Sequence, residues 1–187
     1  KLGIFIHWGI YAVKGVSESW SFYNKYLPHD EYLKQCEGFT ASKYDPKAWV
    51  ELIKESGAQY TVLTTKHHDG VALWDTKQNG ISVVKNTPAK RDLVTPFVNE
   101  VRKAGLKLGL YYSLPDWSHP DYPNMTRTDV RYKDDPKRWD DFCKFNFGQL
   151  KELNTTYKPD LYWFDGDWEM SAETWRAKEI MELLRST

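Results

Sequence analysis

The sequence predicts an α/β protein with a parallel β-sheet, and three observations support this fold class. Short apolar segments alternate along the chain with longer segments of helical periodicity. The apolar segments are continuous rather than alternating, which is typical of strands that are buried on both faces. Residues that start and stop helices bound the segments between them. The pattern therefore indicates parallel strands with helices outside the sheet.

The 187 residues are enough for one hydrophobic core and too few for two comfortable domains. The 26 basic and 26 acidic residues balance, which argues against a nucleic-acid partner. No apolar run is long enough to span a membrane. Cys36 and Cys143 form neither a disulfide framework nor a metal-ligand spacing, so we interpret them as free thiols. Because the chain opens at Lys1 without Met, we expect it to be an internal piece of a longer protein.

The first strand is expected over residues 2–6 and ends at His7. Residues 15–38 are rich in aromatic side chains and have no sustained period. We interpret them as a long loop with short helical turns, and loops of that length are usually functional. A helix then begins with Asp45 as its N-cap and Pro46 at its first position.

The second strand, over residues 60–65, is rich in β-branched residues and leads into the adjacent His67 and His68. The next helix is expected to begin near Thr95, because Pro96 is tolerated only in a first turn.

The third strand covers residues 106–112, ends at Tyr112 and is followed by a helix over about residues 136–153. A fourth strand over residues 161–164 delivers Asp165. The last helix is predicted over residues 171–184 from its amphipathic pattern.

Each strand thus ends in a side chain suited to chemistry, and in a parallel sheet those ends lie on one rim. A (β/α) barrel places its site at this rim and needs roughly eight strands, whereas this chain supplies about four. We therefore predict about half of a TIM-like barrel, with parallel strands and outer helices. Residues 1–187 would be the N-terminal half of the barrel domain.

Half a barrel would leave two sheet edges and an apolar interior exposed. The rest of a longer chain, or another copy of this one, is expected to cover them. A flavodoxin-like open sheet would avoid the problem. However, the loop after the first strand lacks a Gly-rich phosphate fingerprint, which weakens a nucleotide-binding version.

Asp165, at the end of a buried strand, is the candidate nucleophile. A nucleophilic carboxylate needs a fixed position and a second carboxyl as acid and base. Asp167 and Glu169 are candidates for that partner, or else solvated loop charges. Asp165 itself has a structural alternative, as a helix cap or a partner of a backbone amide.

His67 and His68 admit three interpretations. They could bind a substrate's hydroxyls as neutral imidazoles, form a satisfied structural pair, or ligate a metal with His7. Adjacent strand residues point to opposite faces, so a shared ligand requires a bend in the chain. The aromatic residues Trp20, Tyr112, Trp117 and Trp163 suit apolar sugar contacts, although each such residue alone is more often part of a core.

Four segments carry a resemblance to a known family: Phe5-Ile6-His7-Trp8-Gly9, Lys66-His67-His68-Asp69-Gly70, Gly109-Leu110-Tyr111-Tyr112-Ser113 and Trp163-Phe164-Asp165-Gly166. In this order they resemble the signature segments of the α-L-fucosidases of glycoside hydrolase family 29. The resemblance extends over nearly the whole chain. It implies a (β/α) barrel, a retaining double displacement and a bound terminal α-L-fucose.

The resemblance also implies a role for each matching position. Asp165 resembles the nucleophile, and Tyr112 resembles a tyrosine beside the sugar. The remaining matches resemble residues that bind the fucose hydroxyls (His7, His67 and His68) or line the sugar ring (Trp20 and Trp163). The chain departs from the family pattern where Ser19, rather than an acidic residue, precedes Trp20; Glu18 stands one position earlier. The general acid/base and an arginine near the sugar are expected beyond Thr187.

The sequence therefore predicts the catalytic half-domain of a retaining exo-α-L-fucosidase. Its substrate would be a fucosylated glycan or an aryl fucoside, with no cofactor, no metal, no nucleic acid and no membrane. A fucose-binding module without turnover is one alternative, and a metal-dependent barrel hydrolase is another. The resemblance favours a secreted, periplasmic or lysosomal location. Asn124 and Asn154 begin triplets that fit the glycosylation pattern.

Overall fold

The structure is a computed structural model that describes residues 1–186. Its sheet has four strands: β1 (Gly3–Ile6), β2 (Tyr60–Lys66), β3 (Lys107–Ser113) and β4 (Leu161–Asp165). Every neighbouring pair is parallel, and the spatial order is the chain order. The predicted parallel α/β fold is confirmed, and this order is that of consecutive strands in a (β/α) barrel.

Eight α-helices and two 3₁₀ turns are found among residues 1–186. The helices are α1 (Trp20–Tyr23), α2 (His29–Leu33), α3 (Gln35–Gly38), α4 (Pro46–Glu55), α5 (Val83–Asn86), α6 (Val94–Lys103), α7 (Pro136–Tyr157) and α8 (Ala177–Arg185). The 3₁₀ turns are Ile10–Ala12 and Asp167–Glu169. None of the helices within residues 1–186 is long and apolar enough to cross a bilayer.

Aspartates cap the N-termini of α4 and α7, and the cap at Asp45 was predicted. Asp45 accepts a hydrogen bond from the backbone of Ala48 at 3.0 Å at the start of α4. Asp135 caps α7 in the same way through Arg138 N at 3.1 Å. The expectation of short helical turns in the first loop is confirmed by α1, α2 and α3.

The structure corrects the start of the last helix. The amphipathic pattern predicts it from residue 171, but α8 begins only at Ala177. Residues 171–176 instead form turns, and Arg176 has a left-handed backbone with φ of 54°. A helix cannot continue through that conformation. The short helix α5 was not predicted.

The outer face of the sheet carries the core. Leu63 of β2 and Leu110 of β3 are buried in one cluster with apolar residues of α4 and α6, including Val50 and Phe97. The central strands are buried on both faces as expected, whereas the edge strands β1 and β4 are only partly covered.

The inner face is concave. Phe5 of β1 and Trp163 of β4 lie on the two edge strands, which would stand about 14 Å apart in a flat sheet. Their rings nevertheless pack edge to face with centroids 5.0 Å apart. Phe5 remains 43 % and Trp163 52 % exposed. The predicted open, partly apolar inner wall is therefore present.

Candidate active site

The carboxyl ends of all four strands converge on one cluster. β1 ends before His7, β2 before His67 and His68, and β4 ends at Asp165. The ring centroids of His7 and His67 are 4.8 Å apart, and those of His67 and His68 are 4.3 Å apart. Asp165 Oδ2 lies 3.7 Å from His68 Nε2. The structure therefore brings together the predicted carboxylate and the three predicted histidines.

Two donors hold the Asp165 carboxylate. The Tyr111 hydroxyl donates to Oδ2 at 2.5 Å, and the backbone N–H of Gly166 donates to Oδ1 at 2.9 Å. The Asp165 side chain keeps 25 % of its surface exposed. The alternative in which Asp165 binds a backbone amide is thus partly correct, because the Gly166 N–H donates to it. Asp165 stands two residues after the exposed Trp163 in β4, so both side chains lie on the inner face of the sheet.

A bulge and a turn place both histidines of the pair on the same side. The β2–β3 register shifts between Thr64 and Lys66. The backbone then turns, with Gly70 N donating to the His67 carbonyl at 3.0 Å. Gly70 has φ of +77°, which a residue with a side chain rarely adopts. The bulge and the turn therefore interrupt the strand alternation that would point the side chains of His67 and His68 to opposite faces.

His68 is fully buried beneath this cluster. Its Nδ1 lies 2.6 Å from Ser113 Oγ, and its Nε2 has no hydrogen-bond partner among the described residues. Burial lowers the pKa of His68 to about 4, against the opposing effect of the Asp165 charge. The imidazole is therefore neutral at neutral pH.

His67 and His7 are also neutral. His67 Nδ1 lies 2.5 Å from Ser19 Oγ, and burial lowers the His67 pKa well below its usual value. His7 Nε2 lies 3.6 Å from a carboxylate oxygen of Glu18. Burial lowers the His7 pKa as well, although Glu18 and Asp165 oppose this shift. The residues that depart from the family pattern, Glu18 and Ser19, thus both contact the histidine cluster.

Indole rings wall the cluster. Trp20 packs edge to face on His68 with centroids 5.6 Å apart, and Trp168 stacks on Trp20 at 6.4 Å. Trp168 is 58 % exposed and Trp163 52 % exposed. Trp117, in contrast, is fully buried, and its ring stacks on Tyr23 at 3.9 Å. Trp20, Trp163 and Trp168 are therefore available to a ligand, and Trp117 belongs to the core.

The structure corrects the position of the predicted tyrosine. Tyr112 points to the outer face of β3, where its hydroxyl bonds Asn146 at 2.8 Å and lies 2.8 Å from the side-chain amide of Gln149 on α7. It is fully buried. The expectation that Tyr112 lies beside the sugar is wrong, because its neighbour Tyr111 occupies the inner face.

Glu169 holds two loops together and is not free to act as a partner of Asp165. Its carboxylate accepts hydrogen bonds from Trp117 Nε1 at 2.8 Å, Asn124 Nδ2 at 3.0 Å and the Tyr122 hydroxyl. Asp167 is exposed on the 3₁₀ turn, with its backbone carbonyl accepting from Trp175 Nε1 at 2.9 Å. The second carboxyl that a retaining mechanism needs is not identified with either residue.

Two sets of side chains could in principle hold a metal ion among residues 1–186. They are His7 with Glu18 and His67, and His67 with His68 and Asp165; within each set the ligand atoms lie within 4.8 Å of one another. Neither Cys36 nor Cys143 belongs to these two sets. Both thiols are free and buried, and burial raises the pKa of Cys36 to about 12 and of Cys143 to about 11.

A cavity of about 450 Å³ lies elsewhere, between the loop after β3 and the residues that follow β4. Tyr132, Trp139 and Met170 line it, and none of the histidines does. Because the inner face of the sheet is open, the polar cluster forms a concave surface rather than an enclosed cavity. Chemistry, and not enclosed volume, singles out the Asp165 site.

The fold and the site together define a class of protein: a (β/α)-barrel protein with a carboxylate, neutral imidazoles and exposed indoles at the carboxyl ends of its strands. Such a combination suits a sugar, whose hydroxyls need polar partners and whose C–H faces need apolar ones. The chain belongs to the α-L-fucosidase family, whose model, "Alpha-L-fucosidase", matches residues 1–187. The resemblance inferred from the four segments is confirmed.

Similar proteins agree with this assignment. An α-L-fucosidase of Branchiostoma floridae is 34 % identical over 98 % of this chain and 43 % of its own length. The structure of α-L-fucosidase isoenzyme 1 from Paenibacillus thiaminolyticus superimposes with a TM-score of 0.90 at 40 % identity, over 98 % of this chain and 45 % of its own.

A third relative is a family 29 α-L-fucosidase from Bacteroides thetaiotaomicron, trapped as a covalent intermediate with 2-fluoro-fucosyl fluoride. It has a TM-score of 0.82 at 35 % identity, over 97 % of this chain and 44 % of its own. The chain thus spans less than half the length of these relatives.

Proposed function

We propose that this chain carries the nucleophile and most of the sugar-binding residues of a retaining exo-α-L-fucosidase. The observation that carries the proposal is the Asp165 carboxylate, which two donors orient beside neutral imidazoles at the carboxyl ends of parallel strands. The covalent intermediate of the Bacteroides thetaiotaomicron relative supports a double displacement.

In the first step Asp165 attacks the anomeric carbon of a terminal α-L-fucose, and the glycosidic oxygen leaves with a proton from a general acid. Water then attacks the glycosyl–enzyme ester, and fucose is released with net retention. Tyr111 and Gly166 restrict the rotation of the carboxylate before the attack. In well-ordered sites, orienting the reacting groups in this way accounts for a large part of the decrease in activation free energy.

The neutral histidines suit the hydroxyls of fucose. His7, His67 and His68 can each accept or donate one hydrogen bond without bringing a positive charge near the developing oxocarbenium ion. Trp20 and Trp163 would line the apolar face and the methyl group of the sugar. Tyr111 takes the position beside the sugar that the sequence interpretation gave to its neighbour.

We infer further that residues 1–187 form the N-terminal half of the barrel catalytic domain. The open inner face and the coverage of the relatives support this inference. The rest of the barrel, or another copy of the chain, would cover the sheet edges and supply the general acid/base. The family assignment supports a secreted, periplasmic or lysosomal location for the whole protein.

Covalent trapping tests the function. The protein is incubated with 2-fluoro-fucosyl fluoride, and the adduct is located by intact-mass and peptide mass spectrometry. We expect one fluorofucosyl group on Asp165 and none on an Asp165→Asn variant, which should lose roughly 10⁴-fold or more in kcat. The matched control Asp167→Asn should be labelled like the unsubstituted protein.

Three results would contradict the proposal. A fucose-binding module would bind the reagent without a covalent adduct, and adduct formation at another carboxylate would reassign the nucleophile. A chelator that abolishes labelling, with restoration by zinc, would instead support the metal-dependent alternative.

A further inference from the structure

A buried serine at the end of β3 contacts the histidine nearest to Asp165. Ser113 Oγ lies 2.6 Å from His68 Nδ1 and 2.6 Å from the carbonyl oxygen of Pro115. Ser113 and His68 are both completely buried. Ser113 Oγ therefore makes both of its hydrogen bonds within the protein and not with solvent.

The proton positions follow from what each group can donate. A carbonyl oxygen only accepts, and a serine hydroxyl has a single proton. That proton goes to the Pro115 carbonyl, so Ser113 Oγ must accept the hydrogen bond from His68 Nδ1–H. A neutral imidazole carries one proton, and Nε2 of His68 is therefore left with a lone pair.

This lone pair lies beside the proposed nucleophile. His68 Nε2 is buried and has no protein partner among residues 1–186, and Asp165 Oδ2, itself an acceptor, lies 3.7 Å away. A buried acceptor without a donor is costly, and such atoms usually mark the place of a missing partner. Two acceptors 3.7 Å apart, with no protein donor to Nε2, suit a ligand that brings hydroxyl protons.

We infer that Ser113 is a positioning residue, which holds His68 in the Nδ1–H tautomer so that Nε2 accepts a hydrogen bond from a sugar hydroxyl beside Asp165. The inference deepens the proposed fucosidase function and rests on it for the identity of the sugar. In the opposite tautomer, Nε2–H would point at the Asp165 carboxylate. It would then compete with the sugar hydroxyl and weaken the nucleophile.

Pro115, whose carbonyl accepts the Ser113 proton, packs against the glycine that follows the nucleophile. Gly166 has φ of +81°, and a Cβ atom on it would lie 2.3 Å from the Pro115 ring. The backbone N–H of Leu114 also donates to the Asp165 carbonyl at 2.9 Å. The segment that accepts the Ser113 proton is thus in direct contact with the end of β4.

The tautomer can be observed directly. Long-range ¹H–¹⁵N spectra of the protein, labelled with ¹⁵N-histidine, distinguish Nδ1–H from Nε2–H for each imidazole. We expect Nδ1–H for His68 in the unsubstituted protein and a shift towards Nε2–H in Ser113→Ala. The spectrum of the unsubstituted protein decides the tautomer even if the variant folds poorly.

Kinetics test the consequence for the sugar. Ser113→Ala should lower kcat/KM for an aryl fucoside about 10- to 100-fold, as expected for one mispaired buried hydrogen bond. Ser113→Thr keeps the hydroxyl and should recover most of that loss. For a deoxyfucoside that lacks the hydroxyl bound by His68, kcat/KM should be the same in the unsubstituted protein and in Ser113→Ala.

A second Ser–His contact gives the matched control. Ser118 Oγ lies 2.8 Å from His29 Nε2, outside the Asp165 cluster. Ser118→Ala should leave both the His68 signal and kcat/KM unchanged. An Nε2–H signal for His68 in the unsubstituted protein would overturn the role of Ser113, even if Asp165 is labelled covalently. The absence of any label would instead refute the proposed function, whatever the tautomer.

Discussion

Two adjacent tyrosines of β3 lie on opposite faces of the sheet and have different partners. Tyr111 donates to Asp165 on the inner face of β3, and Tyr112 is buried against α7 on the outer face. Burial, with the nearby Asp165 charge, raises the pKa of Tyr111, so its hydroxyl keeps its proton and stays a donor. A one-position shift therefore exchanges a proposed active-site role for a packing role.

A pair of phenylalanine substitutions tests this separation. Tyr111→Phe removes a hydrogen bond to a charged carboxylate, worth about 1.5–3 kcal/mol. We expect kcat/KM for an aryl fucoside to fall roughly 10- to 100-fold, with little change in the free energy of unfolding. Tyr112→Phe should lower the free energy of unfolding by about 1–3 kcal/mol, because it leaves the Asn146 amide buried without this partner.

Steady-state kinetics and urea unfolding measure the two effects, with each variant serving as the control for the other. The activity of folded Tyr112→Phe should stay near that of the unsubstituted protein. If Tyr112→Phe lost the activity and Tyr111→Phe kept it, the assignment of the two faces would be wrong.

The sequence could predict that these tyrosines face opposite ways, but not which one faces inward. That choice depends on the register of β3 against β4, which pairs Tyr111 with Trp163 and Ser113 with Asp165. Nothing local in the sequence encodes this register. The sequence allowed a bend after His67 and His68, through Asp69 and Gly70, but did not require it; the β2 bulge had no local signal.

At the scale of the elements, the end of β4 meets the loop that follows β3 at a glycine. Gly166 follows Asp165 directly, donates to its carboxylate and lies against the Pro115 ring. Its left-handed backbone also ends the strand. One residue thus terminates β4, orients the carboxylate and fixes the neighbouring loop.

Alanine at two glycines should separate backbone strain from this contact. Gly57, which ends α4, has the same φ of +81° as Gly166, but a Cβ atom there would meet nothing within 4 Å. Gly57→Ala should therefore cost only the left-handed penalty of about 1–2 kcal/mol. Gly166→Ala should cost more and should also reduce kcat/KM, because the Pro115 ring must move away from Asp165 and Ser113.

Urea unfolding and fucoside kinetics on the two variants distinguish the contributions. Equal losses of stability, with unchanged activity in both variants, would show that the loop after β3 adjusts freely to a larger residue at position 166.

The strands and the capped helices were the predictable elements, because their signals are local. Asp45 caps α4 as its sequence context indicates, and the four apolar segments are the four strands. The start of α8 was missed because the amphipathic pattern continues through turn residues. Its true start depends on the left-handed Arg176, a residue type that gives no warning of that conformation.

At the scale of the whole molecule, burial controls the histidines. All five of them have pKa values lowered chiefly by burial, whereas in an unfolded chain they would titrate near 6.5. Between these values the unfolded chain binds more protons than the folded one. The free energy of unfolding must then rise with pH across this range.

One buried carboxyl acts in the opposite direction. Burial raises the pKa of Asp69 to about 6, although Tyr32 and the backbone of Val71 donate to it at 2.6 Å and 2.9 Å. The folded state therefore binds an extra proton here below about pH 6, and acidification favours folding at this group. Lys66, whose pKa burial lowers to about 8, stays protonated throughout the acidic range.

The balance predicts that acid destabilises this fold well before the ordinary carboxylates titrate. A proton linked to unfolding is worth about 1.4 kcal/mol for each pH unit. The completely or nearly completely buried His67 and His68 outweigh the single Asp69, so the free energy of unfolding should fall by roughly 2 kcal/mol between pH 7.5 and pH 5.

Urea unfolding at the two pH values measures this change in the free energy of unfolding. The variant His119→Gln should show a smaller change with pH, because it removes one of the five histidines that bind a proton on unfolding. Stability that stays constant or increases on acidification would show that the histidines are already charged in the folded protein. In that case their neutral state, on which the proposed recognition of sugar hydroxyls depends, would be lost as well.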